Sequence, residues 1–66
     1  MISSAKVGVW SSVVGVPILL VDDQDRVVGQ IALVGLAVPA DRDAREYHEE
    51  VAVFIADAVN QKVDGR

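Results

Sequence analysis

Apolar and polar positions follow a strand-like pattern through the middle of the chain. Two valine-rich runs, at residues 13–21 and 26–36, flank four turn-forming residues at 22–25. β-Branched residues favour strands, and a cluster of Asp and Gln favours a turn, so the pattern predicts an antiparallel hairpin. Residues 6–10 are an open case. They form a third strand or remain irregular, because Gly8 interrupts the segment.

The hairpin pattern also predicts a pairing register. If Val21 lies opposite Arg26 across a four-residue loop, one face collects Val14, Val16, Ile18 and Leu20 with Val27, Gly29, Ile31 and Leu33. The other face is then also rich in apolar residues, whereas a hairpin with one solvated face alternates apolar with polar. We therefore expect both faces to be at least partly covered. Pro17 lacks an N–H. We therefore expect its strand to lie at a sheet edge, or the chain at Pro17 to face away from a neighbouring strand.

Helix signals begin after Pro39. Asp41 and Asp43 are both candidate N-caps, and Asp43 with Glu46 has the spacing of a capping box. At 100° per residue, the apolar positions of residues 41–63 fill about half of the helix circumference, in a stripe that runs from Phe54 to Val63. The pattern predicts one C-terminal helix with an apolar side.

Together these elements predict a single α+β domain over residues 1–66, in which a C-terminal helix packs on an antiparallel β-hairpin or a three-stranded sheet. One helix covers one face of such a sheet, so the second apolar face needs a neighbour. A homodimer is the preferred solution, because a twofold contact is the commonest arrangement for small oligomers. The alternative is a monomer in which the extra strand and the turns cover that face.

Composition narrows the compartment and the partners. The chain has no cysteine, which excludes disulfides and thiolate metal sites, and its net charge is −4. An acidic balance disfavours direct nucleic-acid binding and suits basic partners, including nucleic-acid-binding proteins. The longest charge-free stretch, residues 7–21, is shorter than the roughly 20 residues of a membrane span, and the start lacks the features of a secretory signal. We expect a soluble, cytoplasmic protein without a membrane partner.

Candidate catalytic chemistry is sparse. His48 is the single histidine, and its place on the apolar side of the helix favours a packed residue over a catalyst or ligand. The four serines have no nucleophile motif around them. Three aspartates at 22, 23 and 25 lack the glycine and glutamate of a calcium loop. The sequence therefore predicts a non-enzymatic protein with no cofactor or metal site.

Acidic groups and one aromatic residue are the candidate partner-binding positions. Carboxylates at the hairpin tip and along one helix side could imitate a phosphate track, although acids on a solvated face are ordinary. Trp10 is a candidate interface anchor, with core packing as the alternative. The set comprises Asp22, Asp23, Asp25, Glu46, Glu49, Glu50, Asp57 and Trp10.

Two resemblances bear on function. The hairpin Val21-Asp22-Asp23-Gln24-Asp25-Arg26-Val27-Val28, followed by Val53-Phe54-Ile55-Ala56-Asp57-Ala58-Val59-Asn60, resembles short hairpin-plus-helix proteins of phages and prophages. That group includes anti-CRISPR inhibitors, and the resemblance implies a non-enzymatic accessory factor. The segments Gly15-Val16-Pro17-Ile18 and Val27 to Gly35 are similar to the central hairpin of heme-binding GlcG/HbpS-type domains and, more loosely, of GAF-like domains. This second resemblance implies a ligand-binding module.

The leading functional hypothesis is a phage-derived inhibitor that binds a host protein complex. It would block that complex by steric occlusion or by acidic mimicry of nucleic acid. The alternative is a small-molecule or heme-binding module assembled across a dimer.

Overall fold

The computed structural model describes residues 2–64, which form three strands and one helix. The strands β1 (Ile2–Val7), β2 (Val16–Asp22) and β3 (Val27–Val34) precede the helix α1 (Ala44–Asp64). They form one antiparallel sheet in the order β1-β2-β3. The predicted α+β class is confirmed, and of its two versions the three-stranded sheet with one C-terminal helix is the one adopted.

The first strand begins and ends earlier than predicted, at 2–7 instead of 6–10, and residues 13–14 belong to a loop. That loop closes where Ser11 and Gly15 exchange backbone hydrogen bonds of 2.7 and 2.8 Å. Gly15 has a φ of 93°, and a Cβ atom there would lie 1.8 Å from the Val34 carbonyl oxygen. Only glycine fits this position, so Gly15 ends the loop inside a run that reads as continuous strand.

Residues 23–26 separate β2 from β3, and a hydrogen bond between Asp22 and Arg26 closes a turn of three residues, 23–25, where a four-residue loop at 22–25 was predicted. The Asp22 N–H donates to the Arg26 carbonyl at 2.9 Å, and the Asp25 N–H donates to the Asp22 carbonyl at 3.0 Å. Asp25 has a φ of 60°, as expected for the left-handed residue that ends a three-residue hairpin loop. Val21 therefore pairs with Val27, and the predicted pairing with Arg26 is wrong.

Bulges in β3 change the predicted faces as well. The register shifts twice against β2, which leaves Val28 and Ile31 as extra residues. Ile18 consequently pairs with Ala32, and Val16 pairs with Val34. The prediction that Ile31 and Leu33 share a face with Ile18 is wrong, because each bulge resets the two-residue alternation.

Pro17 lies in the central strand of the sheet, so its expected place on an edge strand is wrong. Its carbonyl accepts a hydrogen bond from the Gly8 N–H at 2.8 Å, on the side of β1. The nitrogen of a strand residue faces the same side as its carbonyl. The Pro17 nitrogen therefore faces Gly8, directly after the last paired residue of β1, so the expectation that this point faces away from a neighbour is also wrong.

The helix begins at Ala44, with Asp43 as its N-cap. The Asp43 carboxylate accepts a hydrogen bond from the Glu46 N–H at 3.1 Å, which selects Asp43 over Asp41. His48, Ala52 and Ala56 are the buried residues of the helix. The predicted apolar stripe is therefore partly wrong, because Phe54 at one end of it is 76% exposed.

The core lies between α1 and the inner face of the sheet. Val16 and Ile18 are its largest fully buried side chains, and the remaining buried members are Ala5, Val34, Ala52 and Ala56. Alanines at the centre of the helix stripe allow α1 to approach β2 closely. Among the described residues, no helix is both long enough and apolar enough to cross a membrane.

Candidate functional site

The outer edge of β1 is closed by a side chain from the helix. The Ala5 N–H donates to Oδ1 of Asn60 at 2.7 Å, and Nδ2 of Asn60 donates to the Ala5 carbonyl at 3.0 Å. The amide of Asn60 thus replaces a neighbouring strand at the middle of β1. An edge whose backbone groups are occupied in this way is a poor template for another chain.

The edge formed by β3 is open. The helix lies mainly over β1 and β2 and touches β3 little. Among residues 2–64, β3 has β2 on one side and no strand on the other. No charged residue and no proline occur in β3, and its two bulges leave residues 32–34 in regular pairing with β2. Its four exposed large hydrophobic side chains are Val27, Val28, Ile31 and Leu33.

The exposed apolar residues of the helix lie on the side opposite the core. Asn60 marks the flank that faces β1, and Glu49 projects near that direction at 100° per residue. Phe54 lies about 160° around the helix from the buried residues Ala52 and Ala56, so its exposed ring points away from the sheet. We define the Phe54 surface as the exposed helix face that carries Phe54 and Ala58; it is separate from the exposed side chains Val27, Val28, Ile31 and Leu33 of β3.

Asp22, one of the predicted partner-binding residues, holds the hairpin turn together. It is buried, and Oδ1 accepts hydrogen bonds from the N–H groups of Gln24 and Arg26 at 2.9 Å each. Its Oδ2 accepts from Nε of Arg26 at 2.9 Å. The Arg26 N–H above all, together with the Gln24 N–H and the Arg26 side chain, lowers the pKa of Asp22 against the opposing effect of burial. The carboxylate is fully engaged within the chain.

The other two tip residues are exposed. Nζ of Lys6 lies 4.0 Å from the Asp25 carboxylate, a solvated pair of small energetic value. Within residues 2–64, Asp23 forms no ion pair at all. The tip therefore presents one free carboxylate and one weakly paired carboxylate, fewer than the three that the sequence suggests.

The glutamates of the helix are paired with arginines on the same helix side. Arg42 donates hydrogen bonds to Glu50 and, at 3.4 Å, to Glu46. The Glu50 carboxylate above all, with a smaller effect of Glu46, raises the pKa of Arg42 above its ordinary value. Nε of Arg45 lies 3.5 Å from Glu49. A shallow, open depression is lined by Asp43, Arg45, Glu46, Glu49, Glu50 and Val53. Arg42 and Arg45 together compensate half of the negative charge of the four acids here.

Asp57 is the remaining predicted helix acid. It is exposed and forms no ion pair with any other described residue.

Trp10 and His48 form a structural link. Nε1 of Trp10 donates to Nδ1 of His48 at 3.2 Å, so the imidazole proton resides on Nε2, which donates to the Leu36 carbonyl at 3.0 Å. The Arg45 guanidinium lies 5.9 Å from the centre of the Trp10 ring. Both imidazole nitrogens are engaged in this conformation, and within residues 2–64 no three acidic or histidine side chains group as metal ligands.

Two features of the surface were missed in the sequence. Asn60 borders the apolar stripe of the helix, but no local pattern reveals that it bonds to a backbone 55 residues away. Phe54 is exposed because the buried side of the helix is centred on Ala52, and the helical pattern alone does not determine that orientation. The chain matches no family model, no curated protein and no solved structure in the comparisons.

Proposed function

We propose that this chain is a non-enzymatic interaction protein that binds a partner protein through its Phe54 surface and blocks that partner by steric occlusion. One observation carries the proposal. Among the described residues, eleven large hydrophobic side chains are exposed, with Phe54 the one aromatic ring among them, whereas seven hydrophobic residues are buried. Such an excess of exposed apolar side chains favours association with a partner, and an exposed aromatic ring is the strongest single anchor that this surface offers.

Phe54 is the proposed anchor of this contact. It is the single phenylalanine of the chain, and 76% of it is accessible to solvent. Buried aromatic residues at the centre of an interface supply a large share of its binding energy. Ala58 lies one turn along the helix from Phe54 and extends the apolar contact beside it.

Steric occlusion is favoured over acidic mimicry because of how the carboxylates are used. Glu46, Glu49 and Glu50 pair with arginines, and Asp22 holds the turn. A mimic of a phosphate track needs a row of unpaired carboxylates. The net charge of −4 would still steer a basic partner over long range, without making the contact itself.

The resemblance to phage hairpin-plus-helix proteins supports a bacterial host protein complex as the partner. Nucleic-acid-binding proteins fit the charge of the chain best, because their basic surfaces complement an acidic protein.

A capture experiment with a matched control tests the Phe54 surface. Tagged wild type, Phe54→Glu and Val9→Glu are each incubated with a bacterial lysate, and bound proteins are quantified by mass spectrometry. Val9 is 88% exposed in the loop that follows β1, so its change introduces the same charge outside the proposed contact. We expect Phe54→Glu to lose at least tenfold of the specific capture and Val9→Glu to retain it. Equal capture by both variants would refute the Phe54 surface as the contact.

A second pair of variants separates occlusion from mimicry. Asp23→Lys combined with Asp57→Lys reverses two acids that form no ion pair within residues 2–64, so no internal contact is broken. We expect capture of the same partner to change by about twofold or less, as for charges at the rim of an interface. Loss of capture in this double variant would instead support acidic mimicry.

A further inference from the structure

We infer that two copies of this chain pair antiparallel through their β3 edges, about a twofold axis, and so form one six-stranded sheet. This goes beyond the proposed function, because it concerns the backbone edge of β3, whereas the partner contact is anchored on Phe54. It also selects one arrangement for the homodimer expected from the apolar pattern. The Phe54 flanks of both copies remain accessible in it.

The first argument is the contrast between the two edges. On β1, the Ala5 backbone is bonded to Asn60, and the adjacent residue Lys6 carries a charge. On β3, the segment Val27–Val34 carries no charge and no proline, and its two bulges leave residues 32–34 as the regular stretch open to pairing. Natural sheets protect an exposed apolar edge, or they use it to pair with another strand. Of the two edges, β3 is the one suited to pairing.

The second argument is that the edge presents usable backbone groups. Pro17 pairs with Leu33, and the Pro17 carbonyl points toward β1. At a non-hydrogen-bonded position of an antiparallel pair, each of the two opposite residues directs its N–H and C=O groups away from the other strand. Leu33 therefore directs its N–H and carbonyl outward from the edge, in the regular segment that follows the bulge at Ile31.

Self-pairing satisfies these groups reciprocally. Leu33 in each copy offers one donor and one acceptor, and a twofold contact gives each of them a partner. Since Val27–Val34 is uncharged, no like charges meet where the two strands pair.

The third argument is the area of the chain. A compact monomer of 7.0 kDa is expected to expose about 4,000 Å². This chain exposes 4577 Å² and measures 39 × 22 × 13 Å, so it is flatter than such a monomer. The excess, about 600 Å², approaches the roughly 800 Å² per partner of a stable interface.

A second copy is a better candidate for covering this excess surface than a strand from another protein. The chain has a small core, with Val16 and Ile18 as its two large fully buried side chains. Such a core needs support whenever the chain is folded, and another copy is always present.

Sedimentation equilibrium of wild type, Leu33→Pro and Leu33→Ala tests this arrangement. Leu33→Pro removes the outward N–H without removing a ladder hydrogen bond to β2, and Leu33→Ala truncates the same side chain but keeps the N–H. We expect wild type and Leu33→Ala to reach twice the chain mass of 7.0 kDa. The dimer dissociation constant of Leu33→Pro should be at least tenfold higher than that of Leu33→Ala, with an unchanged circular dichroism spectrum.

A measurement on wild type tests the same arrangement and does not depend on whether Leu33→Pro folds. In a mixture of isotope-labelled and unlabelled chains, we expect intermolecular nuclear Overhauser effects between β3 protons around Leu33. A wild type that stays monomeric at high concentration, equal dissociation constants for the two variants, or intermolecular contacts confined to other elements would each overturn the inference. Phe54→Glu should keep the dimer mass while losing partner capture, so the two proposals can fail separately.

Discussion

The two edges of this three-stranded sheet differ in what holds them. The β1 edge lies under the helix and has its central backbone groups bonded to Asn60 at 2.7 and 3.0 Å. The β3 edge receives little contact from the helix and depends on β2 and on the hairpin turn. The β1 edge is therefore closed by one polar side chain and by the position of α1 over β1 and β2, whereas the β3 edge stays open.

This difference shows how a small chain can leave part of its surface for association. A single helix has too little apolar surface to cover three strands fully. Packing against β1 and β2 gives the helix a well-formed core around Val16 and Ile18, and it leaves β3 and Phe54 uncovered. The two uncovered parts are separate, and we assign pairing of copies to β3 and partner binding to Phe54.

The largest expected effect comes from opening the closed edge. Asn60→Ala removes both hydrogen bonds to Ala5, so we expect the free energy of unfolding to fall by about 2 kcal/mol, at about 1 kcal/mol for each bond. Chemical denaturation measures the change, and Gln61→Ala, an exposed neighbour on the helix, is the control. A loss in Asn60→Ala no greater than in the control would mean that the β1 edge is not held by Asn60.

A medium effect concerns the turn that holds β3 to β2. The folded state lowers the pKa of Asp22 below its value in the unfolded chain, near 3.8. The carboxylate therefore stabilises the fold at pH values above about 3.8, and this stabilisation is lost as the pH falls through the pKa of the folded state. We expect Asp22→Asn to reduce the slope of stability against pH below about pH 4, since the amide oxygen still accepts the backbone bonds. Denaturation midpoints at several pH values measure it, with Asp23→Asn as control. An unchanged slope in Asp22→Asn would contradict the assigned role.

The smallest effect concerns the left-handed residue of the same turn. Asp25 has a φ of 60°, a conformation that glycine adopts without steric cost. We expect Asp25→Gly to stabilise the fold by about 0.5 kcal/mol in thermal or chemical denaturation. Asp23→Gly, at a position without positive φ, should be neutral or destabilising. Destabilisation by Asp25→Gly would show that the carboxylate matters more than the backbone conformation.

The fold class followed from the sequence because it depends on local patterns. Valine-rich runs, a polar turn and the cap at Asp43 each act within a few residues, and they identify two strands and the helix. The register did not follow, because nothing in the pattern of residues 26–36 marks the bulges at Val28 and Ile31. One extra residue is enough to move every later side chain to the other face.

The candidate surface was predicted less well, because it depends on long-range packing. Asp22 and Trp10 were expected to face a partner, yet one carboxylate is used by the turn and the Trp10 indole is bonded to His48. Counting acids along the chain could not show that Arg42 and Arg45 compensate the helix glutamates. The exposure of Phe54 required the orientation of α1, which Asn60 and the alanines of the core determine together.

The comparison of the two edges is tested most directly by amide hydrogen exchange of wild type over a range of protein concentrations. Ala5 and Leu33 report on the β1 and β3 edges, respectively. We predict that the Ala5 amide is protected at every concentration, because Asn60 of the same chain binds it. The Leu33 amide should exchange rapidly when dilute and become protected at high concentration, as copies pair. Rapid exchange of Leu33 at all concentrations, or of Ala5 at any, would contradict the account.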